Sequence, residues 1–574
     1  MQPRERTWRD RLRQRVRGAQ AGPRRRRSVA ESDAATADGL QRTPTLEGQV
    51  PSDSRRPRFR RFRLLPRRRW LRRLILWGGA AALTTTVVFV AVGAWQYTRA
   101  DINTVGDLDF ANPLRIPPVL EPDTDAQGRK VFDLDLQRGT SELVPGMTTE
   151  TWGANGSYLG PTLRASRGDE VLINVNNDLP EATTIHWHGM HLPADADGNP
   201  HQLIAPGDTW SPGWRIDQPA ATLFYHPHPH GQTADHVYRG VAGLFLLDDP
   251  DAPNGLPSDY GATDIPVILQ DKRFDSSGAL DKGAPLLTTV GQLGDTILVN
   301  GTYNPHVEVH DELVRLRVLN ASNGRVYNLG FDDDRTFELV GTDGGLFPEP
   351  HATNRVQLSP GERVEIVARF TPGERSVLRS FPPGLGLNFV QNRFSGGDDT
   401  FDLLQVRAAD ELTESAPLPD RISGDELPDP DDAVTTRHFE LNGSSRINGE
   451  PMDPSRVDTV VAVDTTEIWE VTNGSGNPHN FHPHDVQFRI VDYDGEAPPP
   501  RYAGPKDTVF LPPGTTVRLA VSFSDFTDPT TPYMLHCHIL RHEDRGMMAQ
   551  FTVVEPDDVD TAPTRIDTHA AHRP

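Results

Sequence analysis

Four His-x-His units stand out in the chain: His186-Trp187-His188, His226-Pro227-His228, His482-Pro483-His484 and His536-Cys537-His538. In a β-strand, residues i and i+2 point to one face, so each unit can aim two imidazoles at one place. Eight converging imidazoles suit a cluster of several copper ions. Zinc needs about four ligands and would leave most of them unused. Cys537 is the only cysteine, which excludes an intrachain disulfide and a multi-cysteine zinc or iron–sulfur site. On a strand it points away from His536 and His538, so its thiolate can bind a separate metal behind the same wall. His479, His542 and Met547 are available to join it. Two His, one Cys and a weak Met are the ligands of a blue-copper electron-transfer site. An electron arriving at Cys537 would reach either neighbouring histidine through one residue's covalent bonds. A cysteine–histidine nucleophile is the competing chemistry, and it leaves the other three units without a role.

The elements that must position these residues repeat along the chain. Alternating apolar strands ending in Asn occur at 171–177, 314–320 and 467–473, with Asn176, Asn320 and Asn473 as the closing residues. A Pro-Gly-polar turn precedes another strand at Pro206, Pro360 and Pro513, at steps of 154 and 153 residues. Two markers at one period predict three copies of one domain. Fifty-one prolines and 49 glycines, with runs such as 363–370 and 516–523 alternating at period two, predict antiparallel β-sandwiches. The expected domains are 107–250, 251–409 and 437–556, with an acidic, proline-rich linker at 410–436 and a loose tail at 557–574. The histidine units fall in domains 1 and 3, so the cluster must form between them. Domain 2 reads as a spacer.

Charge divides the chain. Residues 1–73 hold 23 Arg, no Lys and 7 Asp or Glu, while the whole chain carries −22. The acidic remainder argues against nucleic acid as a partner. Residues 74–95 are uncharged and long enough to cross a bilayer. The arginines precede them, which predicts a cytoplasmic N-terminus, a basic disordered arm over 1–73 and an extracytoplasmic remainder. Arg67-Arg68-Arg69-Trp70-Leu71 resembles a twin-arginine export signal. Val92-Gly93-Ala94 offers a signal-peptidase site, so a retained anchor and a cleaved signal are both open.

Four stretches carry a family resemblance: TTIHWHGMHLPADADG (183–198), ATLFYHPHPHGQTADHVYRGVAGLFLL (221–247), NPHNFHPHDVQFRIV (477–491) and YMLHCHILRHEDRGMM (533–548). In this order they resemble the three-domain multicopper oxidases, which include laccases, bacterial cuprous oxidases and bilirubin oxidases. The resemblance implies three consecutive cupredoxin-like Greek-key β-sandwiches, an all-β fold, and four copper ions. It implies a type 1 copper on His479, Cys537 and His542 with Met547 axial, and a type 2 copper on His186 and His482. One type 3 copper would take His188, His226 and His538, and the other His228, His484 and His536. Asp197 and Glu543 match positions that deliver protons to the cluster. His230 reads as a neighbour of the ligands, and His569 and His572 as solvated.

Three departures are visible. Asn480 replaces the usual proline of the third motif, no methionine-rich insert exists among the seven methionines, and the basic arm is long. The implied reaction takes single electrons from a reducing substrate near the edge of His542 and reduces dioxygen to water. Phenols or aromatic amines are the first expectation and Cu(I) the second, in a monomer. A ligand-depleted scaffold of the kind that assists cell division, or a copper store, is the non-catalytic alternative.

Overall fold

The computed structural model describes residues 67–252, 255–285 and 287–567. The basic arm up to residue 66, with His569 and His572, lies outside them. The chain divides into a unit ending at Ala80 and a unit from Ala81 onward. A single helix, Arg67–Tyr97, runs across that division. Its apolar window spans Arg72–Tyr97 and is nowhere buried.

The remainder is β-structure built as three consecutive pairs of sheets. In the first, the strand Lys130–Val144 runs parallel to Glu170–Asn177, facing a sheet that contains His186–His188, Ala221–His226 and Gly243–Asp248. The second is built on Leu313–Asn320 and Arg363–Arg369, the third on Thr465–Asn473 and Thr516–Phe523. Alternation of apolar and polar residues gives each pair one inward face, and each encloses its own packed core, around Phe132, Phe331 and Trp469 respectively.

One asparagine clamp recurs three times. Asn177 donates from Nδ2 to the carbonyls of Glu181 and Ile204, and its own carbonyl accepts from Gly207 N–H. Asn320 does the same with Arg325, Leu358 and Gly361, and Asn473 with Asn477, Leu511 and Gly514. The three glycines have φ of 88°, 85° and 78°, the left-handed region that the Pro-Gly turn requires. The first marker is therefore Asn177 rather than Asn176. The strand's pleat turns Asn176 outward, where it bonds to Asp135 and Thr209.

Other segments differ from the sequence expectation. Asn112 and Pro113 pair with Pro305 and His306, so the stretch ahead of the first sandwich belongs to the second one's sheet. Strands extend to Thr413 and resume at Ala433, and between them Ile422 is buried in the second core. Beyond residue 557, Thr564 and Ile566 hydrogen-bond to the backbone of Val457 and Ser455.

Candidate metal centre

Only the first His-x-His unit lies wholly in a strand. His226 and His536 end the strands Ala221–His226 and Tyr533–His536, and His482-Pro483 ends His479–Pro483. The antiparallel register sets His226 opposite His186 and His482 opposite His536. His479 and His482 are three apart on one strand and so face opposite ways. That is how one strand can serve two centres.

All eight paired histidines are buried. His228, His484 and His536 bring their Nε2 atoms together, with 3.1 Å from His228 to His536 and 3.2 Å from His484 to His536. His226 Nε2 and His538 Nε2 lie 3.3 Å apart. His186 stacks on His484 and His188 on His482, both with ring centroids 3.7 Å apart. Five ring nitrogens of these histidines, His186 Nε2, His188 Nδ1, His228 Nδ1, His482 Nε2 and His538 Nδ1, are buried without any hydrogen-bond partner. A neutral imidazole with a desolvated, unused lone pair is costly unless a cation takes it. The donor set therefore fits metal ions, and its wholly imidazole chemistry suits copper.

The outward nitrogens fix the tautomers. His186 Nδ1 donates to the Asp197 carbonyl (2.9 Å), His484 Nδ1 to Asp197 Oδ2 (2.8 Å), and His482 Nδ1 to the Asp507 carbonyl (2.8 Å). His226 Nδ1 bonds to Pro227 O at 2.9 Å. His188 is turned the other way. Its Nε2 donates to Asp507 Oδ1 at 3.0 Å, which leaves Nδ1 facing inward. Glu543 is buried beside the cluster, Oε2 at 3.3 Å from His536 Nδ1 and Oε1 at 3.6 Å from His228 Nδ1. Burial pushes His228 down to about 3, against the raising effect of Glu543, and His538 to about 3, and it holds His188, His226, His482 and His484 well below the usual range. At neutral pH they offer free lone pairs. Burial alone would raise the Glu543 carboxyl, but the facing His228 and His536 hold it below the usual range.

A second convergence lies on the other side of the His536–His538 segment. His479 Nδ1 and His542 Nδ1 are 3.1 Å apart, and Cys537 Sγ lies 3.5 Å from the first and 3.7 Å from the second. Met547 is buried in the same packed cluster as Cys537. Burial raises the Cys537 thiol to about 12, so it needs a bound cation to ionise and is no nucleophile by itself. His542 Nε2, the edge expected to meet substrate, donates instead to the Thr289 carbonyl at 2.9 Å. His479 Nε2 faces Ser475 Oγ at 2.9 Å and Gly443 O at 3.1 Å. His230 is exposed and joins neither centre.

The second sandwich is more than a spacer. It supplies Thr289, and its Pro360 carbonyl and Ser359 hydroxyl receive the Asn480 amide. Its Arg363, fully buried, bonds Asp507 at 2.6 and 2.8 Å and also the Thr222 carbonyl of the first sandwich. One guanidinium thus ties all three sandwiches at the ring of His188. Arg363, Asp507 and Thr289 carry no local signature in the sequence, and reasoning from motifs missed them.

Comparison with known proteins finds relatives of the chain. Two family models, both described as multicopper oxidase, match residues 135–252 and 426–557. The chain is 36% identical to the multicopper oxidase mco of Staphylococcus aureus, over 77% of this chain and 93% of that one. It is 35% identical to the cell division protein FtsP of Xenorhabdus nematophila, over 77% and 92%. A solved laccase-like multicopper oxidase, CueO from Ochrobactrum sp., is 36% identical, covers 77% of this chain and all of its own, and superposes with a TM-score of 0.69. That protein's title describes oxidase activity towards lignin model compounds and lignosulfonate.

Proposed function

This chain belongs to the multicopper oxidase family of copper-dependent oxidoreductases, and on that premise we propose that it oxidises phenols or aromatic amines and reduces dioxygen to water. The observation that carries the reading is the covalent join of two donor sets. Cys537 faces His479 and His542, while its neighbours His536 and His538 face the eight-imidazole cluster. In this reading His479, Cys537, His542 and Met547 hold a type 1 copper, and His186 and His482 a type 2 copper. His188, His226 and His538 hold one type 3 copper, and His228, His484 and His536 the other. Copper so bound accepts electrons singly and supplies four of them to one dioxygen.

The protein's own groups do the rest. The Cys537 backbone and side chain join the two centres through bonds rather than through space. The carboxylates of Asp197 and Glu543 touch different rings of the cluster, so each can pass protons toward the site that consumes four. Burial of every ring excludes bulk water. The expected domains, 107–250, 251–409 and 437–556, give the cluster its walls, with the first and third supplying all the imidazoles. The apolar helix and the arginines before it support an extracytoplasmic enzyme.

FtsP-like relatives keep a scaffold role in view, and Cu(I) is the second candidate donor. Oxygen uptake by the copper-loaded chain decides among these. Uptake with a phenol and no added copper supports the laccase-like reading. Uptake that needs excess copper points to a cuprous oxidase. No uptake with any donor points to a scaffold or a copper store.

A further inference from the structure

The residues at the end of the apolar helix do not hang free. Tyr97 sets its ring edge-on to Phe389 and Phe394, with centroids 6.2 and 6.4 Å away. Arg393 lies over that ring, bonds the Tyr97 carbonyl at 3.0 Å and pairs with Asp101. Between this docked stretch and the second sandwich lies a cavity of about 350 Å³. Trp95, Leu293 and Phe394 give it apolar walls, and Arg99, Arg273 and Asp295 give it polar ones.

The segment that lines this cavity also closes over the candidate type 1 centre. Pro285 and Leu293 line the cavity, and between them Thr289 offers its carbonyl to His542. Thr289 is held by Ser395, the residue that follows the short helix Phe389–Phe394, at 3.1 Å from N and 3.0 Å from Oγ1. Leu293 packs in the cluster that contains Cys537 and Met547. Leu293 therefore belongs both to the cavity wall and to the core that holds Cys537 and Met547. Trp95, in the cavity wall, is 57% exposed, and Phe389, edge-on to Tyr97, is 74% exposed. The helix window that ends at Tyr97 has 26 residues, about 39 Å at ~1.5 Å per residue. That exceeds the roughly 30 Å apolar core of a bilayer. Trp95 and Arg99 at its end are residue types that favour the membrane interface.

We propose that this cavity is the docking site of a lipid-soluble hydroquinone, drawn from the membrane that the helix Arg67–Tyr97 anchors. The proposal rests on the oxidase reading and names its substrate. The Thr289 carbonyl accepts from His542 Nε2, so electrons from a donor in the cavity reach that ring through the Thr289–Leu293 segment. Trp95 and Phe394 supply apolar ring surface beside Arg99, whose guanidinium lies over Trp95, and the Asp295 carboxylate accepts the hydroxyl proton. Each hydroquinone loses two electrons, one at a time, and its two O–H protons, and leaves as the quinone. Two hydroquinones supply the four electrons and four protons that turn one dioxygen into two waters.

The test uses the full chain in phospholipid vesicles. A photoreactive azidobenzoquinone with a decyl chain is irradiated with copper-free and with copper-loaded protein, and labelled peptides are mapped by mass spectrometry. Label on 95–102 and 389–396, displaced by decylbenzohydroquinone, is expected in both forms. Ala100→Trp adds an indole to the cavity wall. It should cut the label and raise KM for decylbenzohydroquinone about tenfold relative to KM for ferrocyanide, a loss of ~1.4 kcal/mol in docking. Label elsewhere in the wild-type chain, or an unchanged KM ratio in a folded Ala100→Trp, overturns the proposal. If neither donor supports oxygen uptake, the oxidase reading fails, and the labelling of copper-free protein still decides the cavity. Should Ala100→Trp not fold, the wild-type label map alone decides.

Discussion

Replacing Asp507 with Asn tests whether the second sandwich holds the histidine cluster in register. The Asp507 carboxylate accepts from His188 Nε2 at 3.0 Å and from Arg363 at 2.6 and 2.8 Å, and neither the Asp507 nor the Arg363 side chain has any exposure. Asn has the same shape, so what is lost is electrostatic. Arg363 keeps the carbonyls of Thr222, Gly361 and Asp343, but its nearest remaining carboxylate is Asp343, 3.9 Å away. A buried charge stripped of its partner costs about 3–5 kcal/mol. The retained carbonyl bonds offset part of this, so about 2–3 kcal/mol of stability should go. The second effect falls on metal. His188 faces at best a neutral amide oxygen in place of the carboxylate that keeps its proton on Nε2 and its lone pair on Nδ1, and weakening such a partner typically costs about 10–100-fold in metal affinity. Cys537 does not touch Asp507, so the blue site should keep its ion. Copper per chain after dialysis against a chelator, visible absorbance and thermal unfolding are read on one preparation. The expected result is lost copper, retained blue colour and a lower unfolding midpoint. Unchanged copper content with an unchanged midpoint refutes the argument.

Four further outcomes follow from the same geometry. Cys537→Ser should abolish the blue absorbance and turnover while the chain still folds, and near-normal blue absorbance would show that the thiolate is not a ligand. Asp197→Asn should slow oxygen uptake and leave copper near normal, because an amide still fits between His186 and His484 but cannot relay a proton; copper lost in step with activity would make Asp197 structural. Met547→Leu should raise the type 1 reduction potential and keep the copper, since a thioether stabilises the oxidised ion; a redox titration beside Met548→Leu checks it, and a shift only in the latter moves the axial ligand by one residue. Copper-free protein should lose stability as pH falls from 7 to 5. Burial holds His228 at about 3 and His542 at about 4, whereas the unfolded rings titrate near 6.5. Below that pH the unfolded chain takes protons the folded one refuses, at about 1.4 kcal/mol per ring per pH unit, and a flat melting profile from pH 7 to 5 would sink this account.

Much of the candidate site was legible because its chemistry is written in short spacings. His-x-His was read from the pleat of a strand, which holds in full for His186–His188 alone, while the other three units run past a strand end and still converge. The triplicate Pro-Gly turn was legible for the same reason, since Gly207, Gly361 and Gly514 each meet a local demand for positive φ. Reading Asn176 for Asn177 was an error of one position in a period-two pattern, where two adjacent asparagines both fit. What escaped depended on tertiary contact. Asp507 meets His188 across 319 residues and Thr289 meets His542 across 253, and nothing in either neighbourhood distinguishes them from ordinary loop residues.

The split of the cluster between the first and third sandwiches bears on the order in which the protein is made. The ribosome finishes His186–His228 more than 250 residues before it reaches His482. At about 5–20 residues per second that interval is roughly 13–50 seconds, during which four imidazoles stand without their partners. The Cys537 donor set is different. Residues 479–547 belong to one sandwich, so that centre can be completed as soon as the last sandwich closes on itself. The eight-imidazole cluster must wait for that sandwich to dock on the first. On the proposed ligand assignment, the single-ion donor set is therefore complete no later than the multi-ion one. A chain ending between His228 and His482 would carry half a cluster that no copper supply could complete.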